Sequence, residues 1–298
     1  MAVKFADIRG EYPFIPETLD IGGHALSYVD EGPKDAPVVL ALHGNPTWSF
    51  LFRKLILGLR DKYRVIAPDH MGCGLSDKPQ DYAYTLETHI KNVTLLVERL
   101  GLENITLALH DWGGAIGMGY AVSRPETIRS LILFNTAAFP SDNVPLRIRL
   151  CAVPWLGEFL VRRLNAFVGG AVTLGMAVNK PERLTPAVKL GYLAPYDSWE
   201  NRVAIARFVQ DIPMSETHPT YPLVKSIGER LCLFENTPAL ALWGMKDFCF
   251  TGRFLNEWLK RLKNVEAHMF NDAGHLVLED AHERAIPLIR AFLERTDV

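Results

Sequence analysis

Ten residues near the middle of the chain, Ile105-Thr-Leu-Ala-Leu-His-Asp-Trp-Gly-Gly114, restrict the fold more than any other stretch. Ile105 to Leu109 reads as a buried strand, His110 and Asp111 as a sharp turn, and a helix begins near Gly113. A turn this tight between strand and helix lifts one side chain above the sheet, here that of Asp111. An aspartate in front of a helix also reads as an ordinary N-cap. The functional reading therefore needs support from elsewhere in the chain.

The surroundings supply a sheet. Short apolar runs at Val38 to Leu42, Arg64 to Pro68 and Ser130 to Phe134 alternate with helical patterns at Trp48 to Leu59 and Leu86 to Leu100. That rhythm predicts parallel strands joined by crossover helices. It stops near Phe139, gives way to a Pro-punctuated helical region, and resumes with strands at Ala239 to Trp243 and Glu266 to Phe270 and a closing helix at Ala281 to Leu293. The expected architecture is α/β: a mostly parallel central sheet with helices on both faces and an inserted helical cap. The expected core is residues 1–138 and 225–298, and the cap 139–224. With 298 residues, 48% of them hydrophobic, the chain can bury a core of that size.

Two further motifs flank the same sheet edge. Leu42-His-Gly-Asn-Pro46 follows a buried strand, and a glycine turn there can aim a backbone N–H at the Asp111 turn. With the N–H of Trp112 it would make an oxyanion hole. Asn271-Asp-Ala-Gly-His275 follows the last strand and places His275 after the nucleophile in chain order, where the base belongs. The acid that orients His275 has two candidate positions, after the strand ending near Phe134 or after the one ending near Trp243. The first holds Asn135, which carries no charge; the second, Gly244-Met-Lys-Asp247, offers Asp247. Asp280 and Glu279 read as the start of the last helix.

A carboxylate nucleophile is ionised at neutral pH and needs no base to attack. Its useful target is saturated carbon bearing a leaving group, because the product is an alkyl-enzyme ester; attack on an ordinary ester would give an anhydride that reverts. His275 would then activate water against that ester. The amide of Asn45 and the indole N–H of Trp112 are neutral donors able to hold a departing anion, although each also suits a plain packing or turn role.

With these residues assembled, the chain resembles the haloalkane dehalogenases of the α/β-hydrolase superfamily over essentially its whole length, through HGNPTWSF at His43, PDHMGCGLSDKP at Pro68, HDWGG at His110, GMKD at Gly244 and DAGH at Asp272. The Asn45 and Trp112 pair with Asp247 as acid resembles that family's third subfamily. The resemblance implies hydrolysis of a carbon–halogen bond, without cofactor, to an alcohol and a halide, with catalytic Asp111, His275 and Asp247 and halide-binding Asn45 and Trp112. In the cap, NTAAFP at Asn135, GYLAPYDSW at Gly191 and FVQDIP at Phe208 resemble the β-lactone decarboxylases of bacterial long-chain olefin synthesis. These imply a cis-dialkyl β-lactone converted to a cis-alkene and carbon dioxide, with Phe139, Trp155, Phe167, Leu193 and Phe208 as candidate cleft walls.

Other aspartate-nucleophile enzymes fit less well. An epoxide hydrolase needs proton-donating cap tyrosines, for which Tyr192, Tyr196 and Tyr221 are the candidates; a fluoroacetate dehalogenase has arginine after its nucleophile, where this chain has Trp112. A net charge of −2 gives no bulk basic surface for nucleic acid. Four scattered cysteines suggest free thiols, and the lack of a leader-like or spanning apolar run suggests a cytoplasmic protein without membrane insertion. The expected partners are an apolar small molecule, water and released halide, and the resemblance makes a homo-oligomer an expectation.

Overall fold

The computed structural model describes residues 8–172 and 177–296. Strands β1 (Glu17–Ile21) and β2 (His24–Glu31) form an N-terminal hairpin, followed by β3 (Val38–Leu42), α1 (Arg53–Leu59), β4 (Arg64–Pro68), α2 (Leu86–Leu100), β5 (Ile105–Asp111), α3 (Trp112–Ala121) and β6 (Ile128–Thr136). Between β6 and the next strand lie α4 (Leu146–Ala152), α5 (Pro154–Gly157), a π-helical turn (Glu158–Arg163), α6 (Ala166–Val172), α7 (Pro186–Leu193), α8 (Val203–Gln210) and α9 (Tyr221–Arg230). Then β7 (Ala239–Gly244), α10 (Gly252–Arg261), β8 (Val265–Phe270) and α11 (Val277–Thr296) complete the chain.

The eight strands make one sheet in the order β1-β2-β4-β3-β5-β6-β7-β8, antiparallel across β1, β2 and β4 and parallel from β4 through β8. Every residue of β3, β5 and β7 is buried, as expected of strands covered by helices on both faces. Because β3 lies between β4 and β5, successive connections leave it on opposite sides. The crevice this opens at the carboxyl ends of the strands is where ligands bind in such sheets.

The sequence reading placed the central strands and α2 correctly. The β1–β2 hairpin was not anticipated, its outer strand being mostly exposed and polar, and neither was α10, although Phe254, Leu255 and Trp258 give that helix an amphipathic buried face. The helix expected from Trp48 is 3-10 over Ser49–Phe52 before becoming α1. Glu279 and Asp280 do stand in the first turn of α11, but both are buried and both bind the cap. Asp280 accepts the backbone N–H groups of Asn179, Lys180 and Gly274 at 2.7–2.8 Å. Glu279 forms a forked ion pair with Arg53 of α1, with Nη2 2.9 Å from Oε2, and accepts from Tyr192 of α7 at 2.6 Å.

Removing one partner of so buried a pair leaves the other charged and dry. Arg53→Met should therefore cost about 3–5 kcal/mol of stability, read as a lower urea midpoint at unchanged slope. A loss below about 1 kcal/mol, the range of a surface pair, would show that Glu279 reaches water once the arginine is gone. Among the described residues no helix is long and apolar enough to cross a membrane.

Candidate active site

Asp111 is the last residue of β5 and sits at φ 52°, ψ −123°, a conformation L-residues rarely adopt. Thr136 at the end of β6 holds the strained turn by donating its hydroxyl to the Asp111 carbonyl at 2.5 Å. Close packing does the rest: a Cβ on Gly113 would lie 1.9 Å from the carbonyl oxygen of Leu42, so only glycine lets α3 begin this near β3. The carboxylate does not bond the N–H groups a helix N-cap would. It points across to the β3 loop, where Oδ1 accepts the backbone N–H of Asn45 at 2.7 Å, and the backbone N–H of Trp112 also favours the charged carboxylate. Gly44 is required for that approach, since a Cβ there would meet Oδ1 at 2.0 Å.

With Oδ1 held by the N–H of Asn45, Oδ2 is the oxygen turned to the histidine. It faces His275 Nε2 at 3.8 Å, beyond hydrogen-bond length. On the other side of the ring, Nδ1 lies 2.8 Å from Asp247 Oδ2. The imidazole is further fixed by stacking on Phe250 at 5.8 Å between centroids, and its carbonyl accepts from His110 Nε2 at 3.0 Å. Sequence had brought Asp111, His275, Asp247, Asn45 and Trp112 forward separately; the fold sets all five around one crevice.

Charge follows geometry. Burial pushes the Asp111 carboxyl up, and His275 and the two N–H groups offset this only in part. Burial would lower His275, but Asp247 behind it and Asp111 in front raise it instead. Asp247 is pushed up by burial, yet the imidazole and the N–H of Cys249 hold it below the usual carboxylate range.

Two mostly apolar cavities, of about 140 and 280 Å³, meet at Asn45 and Asp111. Ile148, Phe167 and Cys249 border both and so form the partition between them. The smaller runs past Trp112, Phe139 and Phe254 toward an open, more polar mouth at Ser141 and Asn143. The larger runs under the cap past Leu160, Val168 and Val172. Near Asp111, Asn45 Nδ2 donates to the Ile205 carbonyl at 3.1 Å and keeps a second proton, while its buried Oδ1 has no partner among the described residues.

The profile of the alpha/beta hydrolase fold family matches residues 37–282 of this chain. The chain belongs to that family. This α/β-hydrolase is 45% identical over 296 residues to a cis-3-alkyl-4-alkyloxetan-2-one decarboxylase of Xanthomonas campestris, covering 95% of this chain and 97% of that one. It is 32% identical to haloalkane dehalogenase 2 of Mycobacterium tuberculosis, covering 99% of each chain. Among solved structures it superimposes on a putative ancestral haloalkane dehalogenase with TM-score 0.85 at 26% identity, over 94% of this chain and 99% of that one. The relatives are enzymes, and the hydrolase is one as well.

Of the expected cleft walls, Phe139 and Phe167 line the cavities of the hydrolase. Phe208 lies behind Trp112, with ring centroids 5.6 Å apart, Leu193 packs against the core, and Trp155 faces outward. The cap tyrosines an epoxide hydrolase would need are otherwise engaged. Tyr192 bonds Glu279, Tyr196 donates to the Thr47 carbonyl at 3.2 Å, and Tyr221 reaches Glu216 on the surface.

Asn135 was read from sequence only as an acid site left vacant, and the structure gives it a task. Held at φ 34°, it donates to Asp247 Oδ2 at 3.0 Å and to the Gly244 carbonyl at 3.0 Å, and its Oδ1 accepts the Gly244 N–H at 2.7 Å. It thus braces the oxygen that faces His275. Asn135→Asp keeps the shape but replaces the donor with a charge beside Asp247. The hydrolase should then lose about 2–4 kcal/mol of stability at neutral pH and regain part of it in acid. A melting temperature that does not depend on pH would show the bracing to be unimportant.

Proposed function

We propose that this chain is a cis-3,4-dialkyl oxetan-2-one decarboxylase that releases a cis-alkene and carbon dioxide. The observation that carries the reading is the pair of apolar cavities diverging from Asp111. A substrate with alkyl chains on two adjacent ring carbons needs two such lobes, and a terminal haloalkane needs one. The 45% identity to a protein of that activity over 95% of the chain supports it further.

In this reading Oδ2 of Asp111 attacks ring carbon C4 from the face opposite the ring oxygen. The C4–O bond breaks, and its electron pair leaves the ring oxygen as part of a carboxylate. Asn45 Nδ2 and the Trp112 indole N–H receive that anion in a pocket where little water competes with them. The C3–carboxylate bond then breaks, its pair forms the C3=C4 double bond, and the C4–Oδ2 pair returns to Asp111 as carbon dioxide leaves. Inversion at C4 followed by anti elimination keeps the alkyl groups cis. Atoms and charge balance without water or a cofactor.

Halide displacement is the second reading, favoured by the same neutral donors. A haloalkane would be attacked identically, but its ester has no carboxylate to expel, so water activated by His275 must open it. We would assay purified protein on a cis-dialkyl β-lactone and on terminal bromoalkanes in water enriched in oxygen-18. Cis-alkene with no label in Asp111 is the expected result. Alcohol and halide with label entering Asp111, and no alkene, would replace the decarboxylase with a dehalogenase.

A further inference from the structure

The outer face of the cap between residues 146 and 166 has a composition unlike the rest of the surface. Leu146 is 72% exposed, Trp155 75%, Phe159 53% and Leu164 56%, while large exposed hydrophobics elsewhere, such as Ile15, Leu233 and Met269, are scattered along the chain. A cluster of this kind on a folded protein marks a contact surface. The exposed charges in the same stretch are Arg147, Arg149 and Arg163, and at its edge stands the exposed Asp142, whose carbonyl accepts from Arg149 at 2.9 Å. The one carboxylate within the stretch, Glu158, is half-buried and paired with Arg162 at 3.0 Å and Arg207 at 3.1 Å. A chain of net charge −2 therefore presents one locally basic, apolar face.

We propose that this face docks on an anionic phospholipid bilayer, and that the dialkyl substrate enters the larger lobe from there. Aromatic and leucine side chains interleaved with arginine are the composition of interfacial anchors, the apolar groups entering the acyl boundary and the guanidinium groups staying at the headgroups. A second copy of the chain is the poorer occupant, because a two-fold contact would bring together two sets of three arginines against one Asp142 on each side. The face is also continuous with the site. Arg147, Leu150 and Ala166 belong to it and line the larger lobe, so that lobe opens within the patch. A substrate with two long alkyl arms partitions into lipid rather than water. The entry route rests on the decarboxylase reading; the docking rests on the surface alone.

The test is co-sedimentation of the full chain with vesicles of phosphatidylcholine, alone or mixed with phosphatidylglycerol. The mixed vesicles should carry the protein down, less so as salt is raised. Trp155→Ser with Phe159→Ser, and separately Arg163→Glu, should each weaken that partitioning about tenfold. Both variants should keep the melting temperature and the turnover of a short-chain dialkyl lactone dissolved in water. A wild-type protein that stays in the supernatant, or variants that bind as well as it does, overturns the proposal. So does a dimer in light scattering that the Trp155 and Phe159 changes convert to a monomer, which would assign the face to a second copy. Vesicle binding lost in the variants, with no lactone turned over by any form, sustains the docking and removes only the decarboxylase reading.

Discussion

Asp111→Asn should abolish turnover of lactone and haloalkane alike, by about 10⁴-fold or more, and leave the protein as stable as before or more so. The amide is a poor nucleophile, so no covalent intermediate forms. The fold should survive because asparagine is the same size and tolerates the positive φ of 52° better than most residues. Stability follows from the direction of the Asp111 pKa, which is raised in the folded state chiefly by burial. A carboxyl with a raised folded pKa contributes stability fully below its unfolded value and loses that contribution as pH rises through the folded value. At neutral pH the ionised side chain is a net cost that the neutral amide removes. Thermal melts at neutral and acid pH, alongside a turnover assay, check both halves. Residual activity above a hundredth of wild type would mean that another group attacks the substrate.

His275→Gln should separate the two chemistries. Glutamine can still donate to Asp247 but cannot take a proton from water. With a bromoalkane the variant should release one equivalent of halide and stop, its mass increased by one alkyl group, because the ester on Asp111 can no longer be hydrolysed. With the lactone it should keep turning over, within about tenfold of wild type, since elimination returns Asp111 without water. The pH profiles of the wild type should divide in the same way. Burial works against the imidazolium, but Asp247 and Asp111 raise the pKa of His275. Halide turnover, which needs the neutral base, should fall as pH drops below that raised value, and alkene formation should be nearly flat there. Equal loss of both activities in the variant would show that water enters the lactone reaction too.

The parts of this structure that were legible in sequence are those where one local constraint dominates. Buried parallel strands must be apolar at every position, so β3 and β5 announced themselves; the turn at Asp111 did so because glycines had to follow it. β1 gave a weak signal because most of it faces water, where composition is free; α10 was legible in principle, since Phe254, Leu255 and Trp258 recur at helical spacing. The five residues around the crevice were legible because their order along the chain matches strand ends that the fold brings to one edge. The role of Asn135 was not, since its donation to Asp247 depends on how two loops approach across the sheet edge. The two lobes were invisible for a related reason: a partition made by Ile148, Phe167 and Cys249 exists only after three distant segments pack together.

The 2.7 Å contact between Asp111 Oδ1 and the N–H of Asn45 has a chemical consequence. A donor that a serine enzyme of the same fold would offer to an incoming carbonyl is here filled by an oxygen of Asp111. An ester carbonyl arriving at Asp111 finds that donor occupied, and so does a boronic acid that imitates an acyl group under attack. In the proposed chemistry the donor serves a carbonyl only after Oδ2 has been alkylated, when Oδ1 is itself the carbonyl oxygen. In the proposed chemistry a β-lactone is therefore opened at its alkyl carbon and not at its carbonyl.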